Sequence, residues 1–182
     1  NPDTTVEKNW LIKLLESYYE KGEGLFQPKL LVMDEPIKIN SAGNMIHIFG
    51  FGYSRGKGEN DSIEFNEPMQ IGYASGACLF TSKKIFGKIG NLDSFLWAYH
   101  DDLEFGWRAA KNEINSFYVP ESVVYHKGSS NFKWSKKKFY LLERNRQYCL
   151  LTQYSRKTYY KLLPYLLITN LVVFIYYLRK GL

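Results

Sequence analysis

The stretch YHDDLEFGWR, residues 99–108, sets Asp101, Asp102 and Glu104 close together among aromatic residues. Leu103, Trp107 and Ala110 recur at helical spacing, which predicts a helix over Asp101 to Lys111. On that helix Asp101, Glu104 and Arg108 share one face. Glu104 and Arg108 form an i, i+4 pair of favourable orientation, worth about 0.2–0.5 kcal/mol, which is a sufficient structural reason for both. Asp102 falls on a neighbouring face beside Phe105, near the helix N-terminus. The helix dipole there pushes a carboxyl pKa down and the adjacent Asp101 pushes it up. A general base must be ionised and within reach of the proton it removes. Asp102 meets the first condition, and a charged helix start is the plainer reading of the segment alone.

Outward from this helix the chain alternates strand-like and helical segments. Asn1 to Thr5 reads as a loop, with Thr4 or Thr5 capping an amphipathic helix over Val6 to Glu20. Leu25 to Met33 is strand-like and Pro36 breaks it. Ile37 to Phe51 reads as a hairpin turning at Ala42-Gly43-Asn44, and Gly52 to Pro68 as a mobile Gly-rich loop. Met69 to Phe80 is apolar with small residues in its middle, and Thr81 to Gly87 reads as a short helix. Ile114 to Val119 and Ser122 to His126 are expected as two short strands around Pro120. A long basic helix is expected over Trp134 to Tyr154. Together these predict an α/β layered domain.

The chain has 182 residues, 45% hydrophobic and 23% charged, which excludes wholesale disorder. Cys78 and Cys149 form no disulfide framework or metal-type spacing, which favours a reducing compartment. The net charge is +6, and the excess gathers between Lys127 and Lys161, where Glu143 is the one acid. Such a stretch suits anionic lipid, a phosphorylated substrate or nucleic acid. No nucleic-acid motif accompanies it, so nucleic acid is not an expected partner. Leu162 to Leu178, LLPYLLITNLVVFIYYL, carries no charge and spans roughly 25 Å as a helix. Tyr165, Tyr176 and Tyr177 lie at its ends, and Arg179 and Lys180 close it, as at a membrane boundary. The heavier basic side is N-terminal, which predicts a cytoplasmic face for the rest of the chain. The start at NPDT, without Met, reads as a fragment of a longer chain.

Five motifs follow in order: NPDT, GYASGACLF, GNLDSFLWAYHDDLEFGWR, VPESVVYH and ERNR. This series resembles the family 2 glycosyltransferases of the GT-A fold, especially rhamnosyltransferase- and galactofuranosyltransferase-like members, over nearly all of Asn1 to Arg146. Gly90, Asp93, Tyr99, Asp102 and Arg108 match the family pattern directly. Asp101, Glu104 and Phe105 replace its Glu, second Asp and Leu.

The resemblance implies a partial GT-A fold, the nucleotide-diphospho-sugar transferase fold, lacking its N-terminal nucleotide-binding half. It would occupy residues 1–132, followed by a basic juxtamembrane helix at 133–161 and a transmembrane helix at 162–178. Asp3 would be the metal-binding Asp of a DxD-type motif whose first position is Asn1, and His126 the late metal ligand. The divalent cation, Mg²⁺ or Mn²⁺, would meet the diphosphate of a nucleotide sugar. Asp102, beside Asp101, would deprotonate the acceptor hydroxyl, giving inversion. Ser75, Gly76 and Ala77 would wall the donor sugar, and Trp97 and Tyr99 would stack on acceptor sugars. Glu104, Arg108 and Arg144 are counted with the substrate-facing residues. The acceptor would be a lipid-linked or polysaccharide glycan. The alternative is a truncated, non-catalytic, membrane-attached glycan-binding module.

Overall fold

The computed structural model describes residues 1–127 and 135–181. A five-stranded mixed sheet is built around one long strand, with helices packed on it. In chain order come β1 (Thr4–Val6), α1 (Trp10–Lys21), β2 (Leu25–Val32), β3 (Glu35–Ser41), β4 (Asn44–Ile46), β5 (Gly52–Ser54) and β6 (Met69–Ile71). Then follow α2 (Lys83–Ile89), α3 (Asp101–Lys111), β7 (Ser116–His126), α4 (Lys136–Gln153) and α5 (Arg156–Arg179). The sheet runs β1-β7-β2-β3, and β4 with β5 forms a separate ribbon.

β7 organises the molecule. β2 runs parallel along one of its edges. Its other edge is shared: β6 pairs antiparallel with Ser116–Tyr118, and β1 with Val124–His126. The two short strands expected around Pro120 are therefore one strand. The register jumps from Pro28↔Val119 to Lys29↔Val123, so Pro120, Glu121 and Ser122 bulge out without breaking the pairing. Phe26, Leu30 and Val124 fill the interior of this strand pair and are fully buried.

Other expectations need correction. Thr4 to Val6 is a strand rather than a loop and cap, and the first helix starts at Trp10. The hairpin is not Ile37 to Phe51: β3 turns back on β2, and β4 pairs with β5. The Gly-rich segment 52–68 holds β5 and a short 3₁₀ turn at Ile63–Phe65, whose Phe65 is buried. The basic segment 133–161 is not one helix. It breaks at Tyr154 and Ser155, and residues 156–161 begin α5, where the Ser155 hydroxyl accepts from the Thr158 amide. The expected helix residues Lys133 and Trp134 lie outside the described residues. α5 is long and apolar enough to cross a membrane by length and composition, with a mean hydropathy of 1.6 over its most apolar window.

Candidate active site

α3 begins at Asp101 and ends at Lys111, as its apolar spacing predicts. Its N-terminus is set by an unusual approach. Tyr99 (φ 66°) and His100 (φ 63°) are consecutive left-handed residues, a conformation costing about 1–2 kcal/mol for each side chain with a Cβ. Asn145 of α4 holds this turn: its buried amide donates to the Tyr99 carbonyl at 2.7 Å and the Ala98 carbonyl at 2.8 Å. Strain held by surrounding structure is typical of functional sites.

The far side of α3 is fixed by Gly106. A Cβ there would lie 2.2 Å from Tyr73 Cβ and 2.8 Å from Tyr73 Cα, so only glycine lets the helix seat on this segment. That contact brings Asp102 against the Ser75-Gly76-Ala77 loop. Gly76 N–H donates to Asp102 Oδ2 at 2.8 Å, and Leu103 N–H to Oδ1 at 2.8 Å. Desolvation, with a further contribution from the Asp101 charge, pushes the Asp102 pKa up to about 6 against these two bonds. Asp102 is thus ionised at neutral pH yet a better proton acceptor than a solvated carboxylate. Burial also raises Asp101.

The β1–β7 register brings a second pair of groups together. Thr4 pairs with His126, so Asp3 emerges beside the end of β7, and Lys127 N–H donates to the Asp3 carbonyl at 3.0 Å. Asp3 Oδ2 lies 3.5 Å from His126 Nε2. His126 Nδ1 lies 3.1 Å from Asn40 Oδ1. An Nδ1–H donated to Asn40 leaves the Nε2 lone pair directed toward Asp3. Burial lowers the His126 pKa, Asp3 opposing it, so the ring is neutral and able to coordinate at neutral pH. A carboxylate oxygen and an imidazole nitrogen suit a divalent cation such as Mn²⁺. Among the described residues no group of three or more His, Cys, Asp or Glu side chains could hold a metal, so this pair would need ligands from substrate or water.

Asp102 and the Asp3–His126 pair line one cleft of about 470 Å³. Of the expected site residues, it gathers Asp3, Ser75, Gly76, Ala77, Tyr99, Asp101, Asp102 and His126. Trp97, Glu104, Arg108 and Arg144 do not line it. Glu104 is buried and grips Arg108 through two bonds, at 3.0 and 2.7 Å. Arg108 in turn donates to the carbonyls of Ile89 and Asn91, pinning the loop after α2. Arg144 donates to the Phe95 carbonyl at 3.0 Å and covers the Phe95 ring. Trp97 is 59% exposed, with Lys137 Nζ 5.5 Å from its ring centroid. The Arg-Asn-Arg run of α4 therefore clamps neighbouring segments rather than the cleft.

The cleft also holds residues missed by the sequence reading. Lys57 enters from the segment read as a mobile loop, Asn44 and Ser54 come from β4 and β5, and Leu142 from α4. His100 lines the cleft too, and among the described residues no group hydrogen-bonds its Nε2. Burial drops its pKa to about 4, so it is neutral. Its place inside the carboxylate cluster was the available signal.

No family model matches the chain. Over 67 residues, 35% of its length, the chain is 36% identical to N-acetylglucosaminyl-diphospho-decaprenol L-rhamnosyltransferase of Mycobacterium tuberculosis. A longer match, 119 residues at 24% identity, joins 63% of the chain to a low-salt glycan biosynthesis hexosyltransferase of Haloferax volcanii. The matched regions span 22% and 36% of those relatives, respectively. The similarity is to glycosyltransferases, over part of each protein.

Proposed function

We propose that this chain carries the acceptor and metal side of a glycosyltransferase site, acting on a nucleotide diphosphate sugar with inversion at the anomeric carbon. The observation that supports this best is the shared cleft, which Asp102 and the Asp3–His126 pair both line. Asp102 takes the acceptor hydroxyl proton. The Gly76 and Leu103 amides fix the direction of its lone pairs, and its raised pKa supplies basicity. Asp101, beside it, raises the Asp102 pKa further. The small Ser75-Gly76-Ala77 loop allows close approach of the donor sugar. Asp3 and His126 would hold a divalent cation, which when bound stabilises charge on the departing nucleoside diphosphate. Lys57, at the same cleft, adds a cation facing that charge.

The acceptor we propose is a lipid-linked glycan, a class named in the mycobacterial relative's description. The apolar α5 supports membrane association, and the N-terminal excess of basic residues supports a cytoplasmic site. The test is transfer of labelled sugar from a panel of nucleotide diphosphate sugars to polyprenyl-diphosphate-linked saccharides, with and without Mn²⁺, using the full-length protein. Asp102→Asn is expected to lower turnover about 10²–10⁴-fold with donor binding retained. Near-normal turnover by that variant refutes the base assignment. Sugar binding that needs neither metal nor nucleotide favours the non-catalytic glycan-binding alternative.

A further inference from the structure

α5 has the length of a membrane span, yet it is laid along α4. Asn170, in the middle of the uncharged run, accepts from Arg146 Nη2 at 2.6 Å and Gln147 Nε2 at 2.9 Å. Further along, Phe139 of α4 stacks on Tyr177, with ring centroids 3.8 Å apart. Position 146 meets 170 and 139 meets 177, so the two helices run antiparallel. Leu166, Asn170 and Tyr177 share the face turned to α4, and Leu166 and Tyr177 are buried. The opposite arc carries Ile168, Leu171, Val172 and Ile175, all exposed, and the exposed Leu167 and Phe174 flank the face turned to α4. Both ends of this arc are basic: Arg156, Lys157 and Lys161 at the start, Arg179 and Lys180 at the close.

A spanning orientation conflicts with these contacts. It would carry Arg146 and its ion-pair partner Glu143, 2.5 Å away, to the bilayer centre, where charges are strongly disfavoured. Arg146 is also bonded to the Phe49 carbonyl at 3.0 Å, so α4 cannot follow α5 without tearing from the domain. A helix in the interfacial plane meets no such conflict. Its bonded face stays on α4, its apolar arc enters the acyl boundary, and its basic ends sit at headgroup level. The charge at those ends matches an anionic leaflet.

We infer that α5 is a monotopic anchor, lying in the plane of an anionic bilayer surface while docked on α4. The inference stands independently of the catalytic proposal. It has a consequence for it, because α4 also supplies Leu142 to the cleft. Leu142 shares a face of α4 with Phe139 and Arg146, which meet α5, so the cleft and the anchoring helix adjoin the same side of α4 and a lipid-borne acceptor need not travel far from the surface.

The experiment fixes α5 to α4. A Phe139→Cys/Tyr177→Cys chain is bridged by a short bismaleimide, the bridge located by mass spectrometry and the fold checked by circular dichroism. Flotation is measured on vesicles of phosphatidylcholine with phosphatidylglycerol, and of phosphatidylcholine alone. The bridged chain is expected to float on anionic vesicles as well as the unbridged one, less on neutral ones, and to be stripped by alkaline carbonate. Leu171→Glu is expected to weaken flotation about tenfold or more, since it removes a large apolar side chain from the buried arc. Loss of flotation on bridging, while the unbridged chain floats, overturns the inference in favour of a spanning helix. Absence of vesicle binding by both, an unaffected Leu171→Glu variant, or self-association through that face without lipid binding overturns it equally.

Discussion

Replacing Asp102 by Asn should impair catalysis and at the same time stabilise the fold at neutral pH. The folded protein holds this carboxyl at a pKa of about 6, against 3.8 for a free Asp. Because the folded pKa is raised, protonation favours the folded state. The contribution is fully present below the unfolded pKa and is lost as pH rises through about 6. At about 1.4 kcal/mol per pH unit, the ionised Asp102 costs the native state about 3 kcal/mol at pH 8 relative to strongly acid solution. Between pH 4.5 and 8 the change is about 2 kcal/mol. An Asn cannot ionise, but it has one acceptor oxygen where Asp102 offers two, to Gly76 and Leu103. Losing one of those bonds costs about 1 kcal/mol. The variant should therefore be more stable than the parent by about 1–2 kcal/mol at pH 8 and lose that advantage near pH 4.5. Urea unfolding of both proteins at the two pH values isolates Asp102, because other titrating groups cancel in the difference. A stability difference that stays constant with pH would refute the desolvated-carboxylate argument, and with it the support for Asp102 as the proposed base. With Asp102 in the proposed base role, the pH–rate profile of sugar transfer should fall on the acid side with an apparent pKa near 6.

The remaining expectations address the supports of the site. His126→Ala should weaken Mn²⁺ binding about tenfold or more in calorimetric titration with a nucleoside diphosphate present, while the Asp102 end of the cleft is unaltered; an unchanged titration removes His126 from the ligand set. Asn145→Ala frees the left-handed Tyr99–His100 turn, so kcat should fall about tenfold or more with donor affinity held. Equal losses in donor affinity and kcat would point to general unfolding instead. Gly106→Ala should destabilise the fold by about 1–3 kcal/mol or more, because its Cβ meets Tyr73 backbone and Cβ atoms. Glu104→Ala removes the buried carboxylate that accepts from Arg108 and Gln153, with Arg108 keeping its bonds to the Ile89 and Asn91 carbonyls, and should cost about 2–4 kcal/mol in urea unfolding, leaving metal affinity at Asp3 and His126 intact.

Helical periodicity made α3 readable to its end residues, and it separated Asp102 from the Glu104–Arg108 pair before any tertiary contact was known. β2 was legible from its apolar ends, Leu25-Phe26 and Leu30-Leu31-Val32, while the burial of Gln27 and Lys29 at its centre was not. β1 was not, because three residues carry no period and become a strand only through pairing with β7. Pro120 misled in the same way: a proline reads locally as a break, while the bulge against Pro28 and Lys29 accommodates it. The Arg-Asn-Arg run was visible, but its use was not. Side-chain type says that a guanidinium or amide will bond, and the fold selects the carbonyls of Phe49, Phe95, Ala98 and Tyr99 as its partners.

By itself the sequence determined the α/β class, the carboxylate-bearing helix, the order of the motifs and the apolar terminal helix. All of these rest on composition and on spacing along one element, where side-chain direction follows the backbone period. Tertiary structure alone decided that Asp3 meets His126, that Lys57 and His100 share their cleft, and that α5 lies on α4. It also decided that Asp102 carries a raised pKa. Strand register, helix docking and desolvation depend on residues far apart in the chain, and no local pattern encodes the distance between them.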